Sequence, residues 1–141
     1  MPRRRSLAGT LAVAAVATLL GAEPSAAARP AQEAECPAGL VCRFIPAAYA
    51  QTDPGVYGNY DRADRPRDGD DIRYLVVHDT EESYDSAIAR FQDPHNGACA
   101  HYVIRSSDGQ VTQLVHTRNI AHHAGNYWFN MHSLGIEHEG V

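Results

Sequence analysis

Ile72-Arg73-Tyr74-Leu75-Val76-Val77-His78-Asp79-Thr80 is the stretch from which the fold is read. Its first six residues are a compact β-branched and aromatic run, bounded by Asp68-Gly69-Asp70-Asp71 before and by polar residues after. Such a run predicts a β-strand buried on both faces for most of its length. His78 then falls at the C-terminal end of the strand, where side chains emerge from a sheet into loops. A scaffold holds groups rigidly there while leaving one side open, so binding and catalytic residues collect at such edges. A structural histidine bonded to a backbone carbonyl fits the same position equally well.

Working outward, Ser83 to Gln92 places Ala87, Ile88 and Phe91 at spacings of three and four, with Asp85 early and Pro94 just beyond. That pattern predicts a short amphipathic helix. Ala100 to Arg105 and Gln110 to Val115 are two further apolar runs joined by Ser106-Ser107-Asp108-Gly109, whose Asp-Gly suits a hairpin turn. Leu134-Gly135-Ile136-Glu137-His138 begins a fourth strand. Strand, helix, hairpin, loop, strand is the order of an α/β domain, a central mixed β-sheet flanked by helices, here incomplete at the C-terminus. No internal repeat is visible.

Upstream the chain changes character. Residues 1–28 have a basic start (Arg3, Arg4, Arg5), an apolar run from Leu7 to Leu20 and Ala26-Ala27-Ala28, the layout of a secretory signal peptide. The run is shorter than the roughly 20 residues a bilayer span needs, so no stable membrane span is expected once this segment is removed, and the protein is expected to be secreted. Residues 29–71 are rich in Pro, Ala, Asp, Gly and Tyr without sustained periodicity and read as an irregular N-terminal segment, with Tyr49, Tyr57 and Tyr60 available to dock it on the core. Residues 72–141 hold the domain proper.

The formal net charge is −5, and the chain has no lysine. An acidic exported domain without basic patches is a poor binder of nucleic acid. Of three cysteines, Cys36 and Cys42 bracket five residues and are the expected disulfide in an oxidising compartment. Closing that loop restricts the unfolded chain by roughly 2 kcal/mol. Cys99 is left over, as a small buried hydrophobe or a reactive or ligating thiol.

All eight histidines lie between His78 and His138. Imidazole is the commonest metal ligand and the side chain most easily set to exchange protons near neutral pH, so the crowding marks a site. In Leu134–Glu139 a two-residue period puts Glu137 and Glu139 on one face and Ile136 and His138 on the other. A carboxylate within a sheet beside a histidine is a candidate general base, because desolvation raises its pKa toward working pH; a solvated outward face is the plain alternative. Between these lies Ala121-His122-His123-Ala124-Gly125-Asn126-Tyr127-Trp128-Phe129-Asn130. Amides and flat rings together suit a carbohydrate- or peptide-binding loop more than a core segment.

Four stretches in order, Val76-Val77-His78-Asp79-Thr80, Ala100–Ile104 with its Asp108-Gly109 turn, Ala121–Asn126 and Ser133-Leu134-Gly135-Ile136-Glu137, resemble the signatures of the zinc-dependent N-acetylmuramoyl-L-alanine amidases, the type-2 amidases related to peptidoglycan recognition proteins. The resemblance covers about Ile72 to Val141. It implies that His78 is a Zn2+ ligand and Glu137 the catalytic carboxylate. It implies too that Thr80, His123 and Asn126 line a groove for the muramyl peptide of peptidoglycan, with His122 where relatives usually carry an aromatic residue. At Ala100 some relatives carry a tyrosine that this chain lacks. The family's remaining zinc ligands come from a segment expected beyond Val141, so the sequence reads as C-terminally truncated. Two alternatives stand beside hydrolysis: a peptidoglycan-binding module that does not cut, and an inactive fragment. A local cluster of His78 with His101, His123, Cys99 or His138 is a further way to complete a metal site.

Overall fold

The fold is that of a computed structural model, which describes residues 33–49, 58–67 and 71–140. The signal-peptide reading of residues 1–28 and the docking of Tyr57 fall outside these residues. Nine elements follow one another: β1 (Cys42–Phe44), β2 (Tyr60–Asp61), β3 (Tyr74–Asp79), α1 (Tyr84–Phe91), β4 (Tyr102–Ile104), β5 (Val111–Gln113), β6 (Ile120–Ala121), α2 (Tyr127–His132) and β7 (Ser133–His138). Five strands form one mixed sheet in the order β1-β5-β4-β7-β3, and β2 pairs with β6 in a separate antiparallel ribbon. The architecture is α/β, as the order of patterns predicts.

β3 and β7 run parallel, with His78 opposite Glu137, Val76 opposite Gly135 and Tyr74 opposite Ser133. β4 continues the sheet on the far side of β7, with Val103 opposite Glu137. Directly paired residues project to the same face. Tyr74, Val76, His78, Ser133, Gly135, Glu137 and Val103 therefore share one face, and Leu75, Val77, Leu134 and Ile136 share the other.

The first face is the one α1 covers. Ser83 caps the helix by accepting from the Ser86 amide, Asp85 and Arg90 complement its dipole, and Tyr84, Ala87, Ile88 and Phe91 turn inward. They meet Val103, Leu114, Val115, Cys99 and Ala121 in the buried core. The β4–β5 hairpin closes through Gly109 at a φ of 73° and the Asp108 carboxylate, which accepts from the Gln110 amide at 3.0 Å and the Arg105 guanidinium at 2.8 Å.

The strand prediction needs one correction. β3 lies at the edge of the sheet among the described residues, and Leu75 and Val77 are 65% and 63% exposed, so the strand is not buried on both faces. The N-terminal segment read as irregular adds β1 parallel to β5, with Cys36 and Cys42 joined as a disulfide across Cα atoms 6.6 Å apart. Glu35 anchors it: its carboxylate accepts from the Gln113 side-chain amide at 2.8 Å and the Thr117 amide at 2.7 Å. Tyr60 packs against the core and touches the Tyr49 ring at 5.0 Å.

Candidate active site

His78, one residue before the end of β3, is half-buried, and burial pulls its pKa below the ordinary imidazole value. Its Nε2 lies 3.2 Å from Nδ1 of His123. The His123 ring sits directly over Gly135: a Cβ there would come within 2.4 Å of the imidazole, so glycine is what lets the ring reach His78. On its other side His123 Nε2 is 3.0 Å from the Ser133 hydroxyl, which donates its own proton to the Phe129 carbonyl. That assignment makes His123 Nε2 the donor to Ser133 and Nδ1 the acceptor from His78. His123 must then be neutral, in keeping with a pKa lowered to about 4, by burial first and then by the nearby His78 and Arg65.

Glu137 occupies the matching position on β7. Burial pushes its carboxyl above the usual range against the pull of Arg90, and Oε2 is buried without a hydrogen-bond partner. A buried unpartnered carboxylate oxygen requires an explanation, and a reactant's proton is one. Thr80 is buried behind it. Its hydroxyl donates to the Glu82 carbonyl at 2.6 Å and accepts from the Gly140 amide at 3.2 Å. A cavity of about 260 Å³ at the ends of β3 and β7 is lined by Asp79, Thr80, Glu82, Arg90, Asn96 and Glu137, among others.

Asn126 is drawn elsewhere. It caps α2 by accepting from the Phe129 amide at 3.2 Å and lines an open cleft of about 500 Å³ with His122, Gly125, Tyr127 and Asn130. His123 is not among the residues lining that cleft; it belongs with His78. The stretch from Tyr127, read as a loop, is the short helix α2, whose start is signalled by Asn126 as an N-cap. His122 Nε2 lies 3.2 Å from the Asp61 carboxylate.

Three further residues support the site in roles the sequence did not assign them. His101 is fully buried: its Nδ1 accepts from the Gly135 amide at 3.0 Å and its own amide donates to the Gly135 carbonyl at 3.0 Å. Its pKa is lowered to about 3, chiefly by burial. Arg65 is buried too, donating to the carbonyls of Asn130, Met131, Ser133, Thr117 and Asn119. It ties α2 and the start of β7 to the turn before β6. Ser133 shares its face with Gly135 and Glu137, and the two-residue period extended backward would have pointed to it. Cys99 is buried, its thiol donating to the Asn59 carbonyl and pushed up to about 12 by burial, so the reactive reading is not supported.

Among the described residues no three His, Cys, Asp or Glu side chains converge as a metal site. A catalytic zinc takes three protein ligands. His78 with His123 falls short of that set, and His78 Nε2 is engaged by His123, so the described residues do not by themselves fit the metal.

The profile of a family described as N-acetylmuramoyl-L-alanine amidase matches residues 68–141. The chain is also similar to N-acetylmuramoyl-L-alanine amidase A of Achromobacter lyticus, at 46% identity over 66 residues, which is 47% of this chain and 36% of that protein. It thus spans about a third of the length of the curated relative it matches. No solved structure matches.

Proposed function

The chain belongs to the N-acetylmuramoyl-L-alanine amidase family, and from that premise we propose that it hydrolyses the amide between the lactyl group of N-acetylmuramic acid and the L-alanine of the stem peptide. The observation that carries the proposal is the parallel register of β3 and β7, which sets Glu137 beside His78 on the face α1 covers, with one carboxylate oxygen buried and unpartnered. In the proposed reaction Glu137 takes a proton from water as the water oxygen bonds to the lactyl carbonyl carbon. It returns the proton to the alanine nitrogen as the carbon–nitrogen bond breaks. Burial supports this role by raising the affinity of Glu137 for the proton it must hold between the two steps. His123 fixes the His78 ring, while Asn126 and the cleft it lines receive the muramyl peptide.

Zinc at His78 belongs to this proposal through family membership. No step above passes through it, because the described residues bring one assigned donor and not three. Export to the cell wall is part of the same proposal, supported by the layout of residues 1–28 and by the Cys36–Cys42 bond.

Glu137→Gln keeps the shape of the side chain and removes the base. Release of free stem peptides from purified sacculi by a metal-loaded protein should fall by about 10² to 10⁴. Unchanged release would overturn the assignment. That the described residues bring one assigned donor and not three favours one competitor, a module that binds peptidoglycan without cutting it. Bound zinc per chain, measured alongside stem-peptide release, separates the two: sacculus binding with neither zinc nor release supports the binder.

A further inference from the structure

Tyr74, Tyr127, Trp128 and Phe129 are 45%, 55%, 44% and 43% exposed. They are not scattered. The Tyr74 ring centroid lies 6.1 Å from that of Trp128 and 5.9 Å from that of Phe129, and Trp128 meets Phe129 edge-on at 5.2 Å. Contiguous exposed aromatic surface on a small domain is costly in water and marks a binding surface. Its position is informative. Tyr74 projects from the same face of β3 as His78, and Tyr127 both lines the cleft of Asn126 and begins the helix that carries Trp128 and Phe129. The surface is therefore continuous with the proposed substrate site.

Its chemistry selects among occupants. Among the described residues no side chain lining the cleft is lysine, arginine or a carboxylate, and the chain as a whole has no lysine and a net charge of −5. Aromatic surfaces that hold nucleic acid or anionic lipid come with a cationic surround. Flat rings beside side-chain amides instead match sugar rings, whose C–H faces lie on aromatic faces while their hydroxyls and N-acetyl groups bond to amides. We propose that Tyr74, Tyr127, Trp128 and Phe129 form a platform for the uncharged, N-acylated sugar rings of the glycan strand that flanks the scissile amide. This deepens the proposed function and rests on it for the direction of the strand, but it is tested without the reaction.

Trp128 is the only tryptophan in the chain, so its fluorescence reports on this surface alone. The probe is a peptide-free β-1,4-linked oligosaccharide of N-acetylglucosamine, titrated into the full chain. The expected result is a saturable blue shift or quench, weakened about two- to tenfold by Tyr127→Ala and by Phe129→Ala, a range set by the worth of a single aromatic contact. No spectral change with the sugar overturns the proposal. So does a change produced only by phospholipid vesicles, or one that follows protein concentration without any ligand, which would assign the surface to a membrane or to a second copy. The two readings fail separately. A sugar response without stem-peptide release leaves the platform standing and removes the amidase, whereas release that depends on Glu137 without a sugar response does the reverse.

Discussion

The two faces of the β3–β7 pair differ in what holds them. On one, Ser133, Gly135 and Glu137 alternate with Tyr74, Val76 and His78 across the register, and every histidine contact of the site is made there. On the other, Leu75 and Val77 stand in water beside half-buried Leu134 and Ile136. Tyr74 at its start apart, the polar side is the one built in, and on β3 the apolar side is the one left open. A stability-driven arrangement would reverse this, because burying an imidazole or a carboxylate costs free energy that burying valine or leucine returns. The site face is thus maintained by specific hydrogen bonds, and the contrast can be broken by attacking those bonds or sharpened by altering the bare face.

The largest effect expected comes from acid. His101 holds the Gly135 amide through an unprotonated Nδ1, and its pKa lies near 3 in the fold against 6.5 as the ordinary value. His123 is depressed in the same direction, to about 4. Between those values the unfolded chain takes up protons that the folded chain refuses, so stability rises with pH across this window. These imidazoles leave the fold at full stability above about pH 6.5 and cost it several kcal/mol as pH falls toward 3. Urea unfolding at pH 7, 5.5 and 4 checks this, and His101→Gln should give a shallower loss. A flat profile would mean that the imidazoles are solvated and that the site face is not sealed.

Next in size is Gly135→Ala. The added methyl would lie 2.4 Å from the His123 ring, and the ring has Ser133 on one side and His78 on the other. Something must shift, at a cost of about 1 to 3 kcal/mol for an overpacked position. A thermal melt measures the cost. Imidazole nitrogen resonances of His78 and His123 would show whether their mutual bond is lost. An unshifted melting temperature would mean that His123 moves freely and does not position His78.

These same residues show what a sequence can and cannot disclose. Periodicity located β3, α1, the hairpin and β7, because each is a local pattern in which apolar spacing reports the face turned inward. It also set Glu137 on the opposite face from Ile136. It misjudged how deeply β3 is buried, since a short apolar run looks alike in a central strand and at an edge, and only the strand order decides. His123 was legible as a groove residue and, in the alternative, as a neighbour of His78; the sequence could not choose, because their closeness depends on Gly135, far along the chain from His78, lacking a side chain. Arg65 was not legible at all, and His101 was legible only as a candidate metal ligand, not as the partner of the Gly135 main chain. Their roles are bonds to main-chain groups, which any sequence supplies, so no residue-type pattern announces them.

The smallest effect belongs to the bare face. Leu75 and Val77 project into water and contribute little to the packed core, so Leu75→Thr and Val77→Thr should each change unfolding free energy by no more than about 0.5 kcal/mol, since β-branched threonine suits a strand. The pair should act instead on association. An exposed apolar edge strand offers both unpaired backbone and sticky side chains to another chain, and polar substitution there removes the second of these. Light scattering on concentrated samples of the double variant should show less aggregate than the unaltered chain at the same folded fraction. A loss of more than about 2 kcal/mol would instead show that the face is covered in solution, because only a buried apolar side chain is worth that much, and the contrast between the two faces would then disappear.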